Sequence, residues 1–414
     1  MKRNLKLWVV ATLLCVTVAK AQQLPVLETG GKLMPDEWID KDTGFKVFKL
    51  TRRPGTNASF YFHNNPFVGD EMVFAGSNDV SEGDDMHHNA ARGIYQMYAV
   101  NLKTLVIRQL TNAPGGVRTE IVCPATKELF YQHGDSVFAV DTQSLKTRLI
   151  KVMPDGLKGG IVTVNADGSL LAGKLDSPEE REILRNYPAK GDFFRRIFNA
   201  RLRRTLFTLN THTGELDTIY SERAWLNHLQ FSPTDKHLLM FCHEGPWEEV
   251  DRIWTIDMDK KGAPELIHKR TMYREIAGHE WFGADGREIW FDLQRPRGET
   301  FFVGKSNIYT GEEQRYALTR DEWSVHYTTS WDMKLIAGDG GSKTSVAHSP
   351  QGQWIYRFDF AGDSLKATRL VSMKNHDYKL EPNVHFSPDN RWIIFRANFE
   401  GRENVYAVDL YSKR

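Results

Sequence analysis

The sequence predicts an all-β fold, a seven-bladed β-propeller of four-stranded antiparallel blades with its ring closed by pairing the N- and C-terminal strands. Three observations carry that expectation. A short apolar strand preceded by a Pro, Asp, Gly or Asn turn recurs along the chain. A partner strand, usually with its own hairpin, recurs behind it. The last unit lacks a hairpin mate, and a strand near the N-terminus is left over to supply one.

The first strand of each unit reads EMVFAG (Glu71–Gly76), ELFYQ (Glu128–Gln132), SLLAGKL (Ser169–Leu175), HLLMFCH (His237–His243), EIWFDL (Glu288–Leu293), KLIAGDG (Lys334–Gly340) and WIIFRAN (Trp392–Asn398). Four of the preceding turns share a signature: NADGS at Asn165, SPTDK at Ser232, GADGR at Gly283 and SPDNR at Ser387. Partner strands begin at Met97, Val137, Leu206, Ile253, Ile355 and Val405. Units of roughly 40 to 65 residues with four short strands each are the signature of a propeller. The final VYAVDL from Val405 stops without its mate, so GFKVFKLT (Gly44–Thr51), which alternates as a strand does, is expected to pair with it and remove an open edge.

Two segments exceed the repeat. Asp176–Arg204 is a charged insertion with helical character, and Ser81–Arg92 is a polar loop. Insertions of this kind are expected on one face, shaping a binding site. Residues 1–21 read as a signal peptide: Lys2, Arg3 and Lys6 precede the apolar run Leu7–Val18, and Ala19-Lys20-Ala21 offers a cleavage site before Gln22. The run is shorter than the roughly 20 apolar residues of a spanning helix. The expected mature chain, 22–414, is then a single secreted or periplasmic propeller domain, a monomer with no membrane insertion. Cys123 and Cys242 sit in apolar strands and are expected to be buried free thiols.

A balance of 54 Lys+Arg against 53 Asp+Glu leaves no global field to select nucleic acid or an anionic membrane, so an acidic ligand would have to be held by local charges. No P-loop, GxSxG, HExxH or CxxC pattern is present. Chemistry-bearing residues collect instead at the entries to the inner strands: NHLQFSP (Asn227, His228), GHEWFGADG (His279, Glu280), VHYTTSWDM (His326) and EPNVHFSPD (Glu381, Asn383, His385). Recurrence at one place in successive units points to a shared axial site, and converging histidines suit a metal or a general base. The stretch His243–Phe282 adds Arg252 and Trp247 to this set.

FCHEGPW, VDRIW, GHEWF, HYTTSWDMKLIAGDG (from His326) and FSPDNRWIIFRANFEG resemble the oligogalacturonate lyases, seven-bladed propellers acting on pectin fragments. The resemblance covers most of the mature chain and is densest from Trp225 onward. It implies β-elimination across a 4-linked uronate by a histidine base, an arginine and a divalent metal, typically manganese. By position it makes His279 the base, Arg252 the arginine and His326 a metal ligand. The chain departs from the family where Glu381-Pro382-Asn383 replaces a His-Pro-His pair and Tyr378 replaces a glutamine ligand. A set of His326, Glu381, Asn383 and His385 is richer in oxygen, which suits Mn, Ca or Mg. His243, His228 and Trp281 are expected to touch an acidic oligosaccharide substrate. Two other functions fit the same repeats: a TolB-like propeller that binds without chemistry, and a propeller acting on another uronate glycan, as a hydrolase with Glu280 and Glu381 as its carboxylate pair or as a lyase.

Overall fold

The computed structural model of the chain describes residues 23–78, 94–155, 157–175, 177–260 and 263–413; the expected signal peptide and the polar loop Ser81–Arg92 lie outside them. The repeated strands fold into successive antiparallel sheets, a succession consistent with a propeller. The ladder of the first sheet runs Thr56–Ala58, Glu71–Ser77, Tyr95–Asn101 and Ile107–Gln109, with the short Phe67–Val68 also paired to Glu71–Ser77, and the second sheet holds Ile121–Cys123, Glu128–His133, Ser136–Asp141 and Thr147–Val152. The third holds Gly159–Val164, Leu170–Leu175, Arg204–Asn210 and Leu216–Glu222, and the fourth Leu226–Phe231, Leu238–His243, Ile253–Asp257 and Glu265–Leu266. The fifth (Ile276–Phe282, Glu288–Gln294, Phe301–Asn307, Glu313–Leu318) and sixth (Tyr327–Thr329, Leu335–Gly338, Trp354–Ala361, Ser364–Ser372) are joined by a single parallel bridge, Ala317 to Ser364. Each strand singled out as the first of a unit is the second strand of its sheet. One partner strand, Phe301–Asn307, had no counterpart in the sequence pattern.

The closing sheet contains both ends of the described chain. His385–Phe386, Trp392–Ala397 and Asn404–Asp409 are followed in the ladder by Lys46–Lys49, with Val47 opposite Val408 and Phe48 opposite Ala407. Val47 and Val408 are fully buried, so the pairing removes a sheet edge and apolar surface together. The core lies between neighbouring sheets: Phe48, Phe74, Ile394 and Val405 pack where the closing sheet meets the first, and Trp290, Tyr316, Tyr356 and Phe358 where the fifth meets the sixth.

The signature turns explain their own sequence. In three of the four, the fourth position takes a left-handed backbone, filled by Gly168 (φ 76), Gly286 (φ 68) and Asn390 (φ 56), and a Cβ on Gly286 would lie 2.1 Å from Thr234 Oγ1. At the first position the buried Asn165 accepts the Leu170 amide at 3.0 Å and donates to Ser169 Oγ and to the Lys236 carbonyl of the next sheet's turn, both at 3.1 Å. Asn165→Ala is therefore expected to destabilise the protein by about 1 kcal/mol, because it removes the partner of two part-buried backbone groups. Urea unfolding would measure it.

The charged insertion forms two helices, Pro178–Asn186 and Lys190–Ala200, between the second and third strands of the third sheet. Ser177 caps the first by accepting the Glu180 amide, Pro178 occupies its start, and Glu179 and Glu180 face its positive end. The second buries Ile197 and Phe198 and ends on Arg201 in the left-handed region. Cys123 and Cys242 are buried and free. Among the described residues no helix is long and apolar enough to cross a membrane.

Candidate active site

Three of the inner-strand entries carry one repeated backbone device. His228 (φ 48), His279 (φ 49) and Asn383 (φ 52) each sit three residues before the phenylalanine of the following turn, and the ladder skips register around the first two. A bulge of this kind re-aims a side chain that a regular strand would lay against its neighbour. His228 and His279 thereby line a cavity of about 980 Å³. Residues two further along, Gln230, Trp281, Thr328 and His385, line a second cavity of about 420 Å³.

That register separates the expected site residues. Arg252, His279, His228 and Glu381 line the larger cavity together. Trp281 is buried against Trp290 (centroids 6.2 Å) in the core beside the smaller one. His385 also lines the smaller cavity, with Nε2 3.2 Å from the Asn64 carbonyl. His243 lines neither: it lies 3.0 Å from Glu222 and stacks on Trp254 (4.9 Å), packing the fourth sheet instead.

Arg252 is buried between two carboxylates. Nη1 donates to Glu244 Oε1 at 2.7 Å and Nε to Glu280 Oε2 at 3.0 Å. Burial alone would raise the Glu244 carboxyl, but Arg252 and then His228 outweigh it and hold it well below the usual carboxylate range. Burial likewise opposes the Arg252 charge, yet its anionic surroundings hold it well above the ordinary value. Glu280 is thus committed to an ion pair and is not available as one of two opposed carboxylic acids. Trp247 stacks 5.0 Å from the Arg252 guanidinium and edges onto His279 at 4.7 Å. Gly278 permits this, since a Cβ there would meet the Trp247 ring at 2.7 Å.

His279 itself is half-buried, and among the described residues its buried Nδ1 has no hydrogen-bond partner. Burial, then the His326 and Arg252 charges, hold its imidazole well below the ordinary value, so it is neutral near pH 7 with a lone pair to offer. Its ring centroid is 4.7 Å from that of His326.

His326 is fully buried. Nδ1 lies 3.0 Å from Asp339 Oδ2, which places the proton on Nδ1 and leaves Nε2 unpartnered, 3.8 Å from Glu381 Oε2. An imidazole nitrogen oriented by a carboxylate, with a second carboxylate in reach, fits a divalent cation. Asn383 is less open: Oδ1 accepts the Phe62 amide at 3.1 Å, and its own amide donates to the Glu381 carbonyl. Tyr378 donates its hydroxyl to the Asp339 carbonyl at 3.0 Å. A second grouping, His228, Cys242 and Glu244, has ligand atoms within 4.8 Å of one another. We favour His326 and Glu381, because burial pushes the Cys242 thiol well up and metals take the thiolate.

Several lining residues had no signal in the repeat. Tyr61 to Asn64 cross between the two cavities, with the Tyr61 amide and the Asn64 side chain both donating to Glu120 at 2.8 Å. Phe62 stacks on His326 at 4.6 Å. The cluster FYFH was the available signal, but it lies outside the repeating strands. Lys174, Lys190, Arg195 and Arg297 stand in the walls; Arg195 and Arg297 are paired with Glu249 and Glu248, while Lys174 donates to the neutral Asn227 amide at 2.8 Å. Lys190 and Arg195 come from the helical insertion, as its expected place on a binding face requires.

A family model described as oligogalacturonate lyase matches residues 32–413. The chain is similar to an oligogalacturonate lyase of Dickeya dadantii (strain 3937), 25% identical over 384 residues that cover 89% of this chain and 94% of the relative. It is similar to an oligogalacturonide lyase of Pectobacterium atrosepticum at 24% identity with the same coverage. Among solved structures, an oligogalacturonate lyase in complex with manganese superposes with a TM-score of 0.75 at 23% identity, over 93% of this chain and 98% of that one. A crystal structure of an oligogalacturonate lyase from Vibrio parahaemolyticus gives 0.76 at 22% identity, over 94% and 100%.

Proposed function

The chain belongs to the oligogalacturonate lyase family, and from that membership we propose that it cleaves 4-linked galacturonide oligosaccharides by β-elimination in the larger cavity. The observation that carries the mechanism is that His279 lines the same cavity as a buried, clamped Arg252. The C5 hydrogen of a uronate is acidic because its carboxylate can take up the electron pair. Arg252, fixed by Glu244 and Glu280, places positive charge where that negative charge grows and needs no reorganisation to do so. His279 takes the C5 proton, and expulsion of the 4-linked sugar leaves an unsaturated uronate. Trp247 supplies an apolar wall for a sugar face.

A divalent cation, manganese first with calcium or magnesium as alternatives, would be held by His326 and Glu381, and when bound it would supply further positive charge to the uronate carboxylate. Asp339 orients His326 for that role. Asp339→Asn is expected to weaken manganese binding by about 10–100-fold. Tyr378→Phe should leave it unchanged, since that hydroxyl is spent on the Asp339 carbonyl. Calorimetric titration of manganese reads both without reference to turnover; equal affinities for Asp339→Asn and the parent would remove His326 from the site.

The same reading takes the sheets as seven blades of one domain over residues 22–414, in a monomer released by cleavage of residues 1–21 and acting in the periplasm or outside the cell. The decisive experiment is to supply digalacturonate with and without manganese and follow ultraviolet absorbance and product mass. Elimination yields products whose masses sum to that of the substrate. Added water would instead indicate hydrolysis, and no turnover on several uronides would overturn the proposal.

A further inference from the structure

We propose that His228 is the proton donor to the departing glycosidic oxygen. The inference rests on the lyase reading above and supplies the half of the reaction that His279 leaves undone. In a galacturonide ring the C5–H and C4–O4 bonds are both axial and lie on opposite faces. A base positioned on C5–H is therefore not positioned to protonate O4, and a second group has to stand across from it.

His228 is the candidate for that group. It lines the same cavity from the neighbouring sheet, presented by the same left-handed bulge as His279. Its Nε2 lies 3.3 Å from Glu244 Oε2, while Glu244 Oε1 takes the Arg252 guanidinium at 2.7 Å. A carboxylate on one ring nitrogen orients the imidazole and leaves the other nitrogen to serve the cavity. Arg252, through Glu244, thus ties the group that stabilises charge on the substrate to the group that discharges the leaving oxygen. Among the described residues no carboxylate is paired with His279, so two histidines with the same backbone setting carry opposite equipment.

The step balances. The C5–H electron pair becomes the C4=C5 double bond, and the proton passes to His279. The C4–O4 bond breaks with its electron pair on O4, which takes a proton from His228. Solvent then returns the proton to His228 and removes one from His279, with no net uptake of water.

The test uses digalacturonate in D2O with the full-length protein, comparing His228→Asn, His228→Gln and His279→Asn with the parent. Asparagine and glutamine keep a polar group near Glu244, and asparagine tolerates the left-handed backbone. Unsaturated product is followed by absorbance, and deuterium entering C5 of unreacted substrate by nuclear magnetic resonance. Both His228 variants should eliminate about 10²–10⁴-fold more slowly while still exchanging the C5 hydrogen, because the base remains. His279→Asn should lose both readouts. Elimination by the His228 variants at parental rates, or exchange lost in step with elimination, would overturn the assignment. A parent that neither eliminates nor exchanges would instead overturn the lyase reading on which it stands.

Discussion

Replacing His279 with asparagine is expected to slow formation of the unsaturated product by about 10²–10⁴-fold, the range for loss of a positioned general base. The fold should survive. Asparagine accepts the φ of 49 at this bulge, and the lost imidazole presented a nitrogen that was bonded to nothing. Thermal unfolding is therefore expected to match the parent, and digalacturonate should still bind through Arg252 and the basic walls. A variant that loses stability and activity together would make His279 a structural residue. One that keeps normal turnover would move the base elsewhere.

Removal of the Arg252 charge should have the largest effect on stability. Arg252→Leu leaves Glu244 and Glu280, both buried, without the cation that held them, and breaking a buried pair from one side costs about 3–5 kcal/mol. Pairing the change with Glu280→Gln should recover part of that loss, which a double-mutant cycle in urea would read. Arg252→Lys keeps the charge but not the fork that reaches two carboxylates, so activity should fall further than stability. The pH dependence follows from Glu244, whose folded carboxyl is held below its ordinary value of 4.5. Its contribution is complete above that value and is lost only as pH falls through the lowered one, so the clamp does not loosen between pH 7 and 5. An Arg252→Leu variant as stable as the parent would contradict this account.

The repeating strands were legible because period-two alternation and turn chemistry are local properties. Closure was legible because one strand was left over at each end of the chain. Phe301–Asn307 escaped notice because Gly304 interrupts its run of strand-forming side chains. The Arg252, His279 and Glu381 grouping could be read from motif and position. Which way a neighbour faces could not. Trp281 and His385 stand two residues beyond bulged positions, and whether such a residue shares its neighbour's cavity depends on register in the ladder rather than on spacing. The segment Tyr61–Asn64 was invisible for another reason: its anchors, Glu120 and Asn383, are distant in sequence, and nothing local requires the chain to cross the axis there.

The closing ladder also sets an order of events in synthesis. Lys46–Lys49 is among the first segments made, yet its hydrogen-bonding partner, Asn404–Asp409, is among the last. Bringing together ends so far apart adds little to the equilibrium cost, because loop entropy grows only with the logarithm of length. It weighs on rate, since pairings between distant segments form late. A nascent chain can assemble its middle sheets as they emerge, but one edge of Lys46–Lys49 has to wait for Asn404–Asp409 before it is covered. A message cut short before the codons for Asn404–Asp409 would therefore yield a protein with an exposed sheet edge, recognisable to a cell's proteases as unfinished.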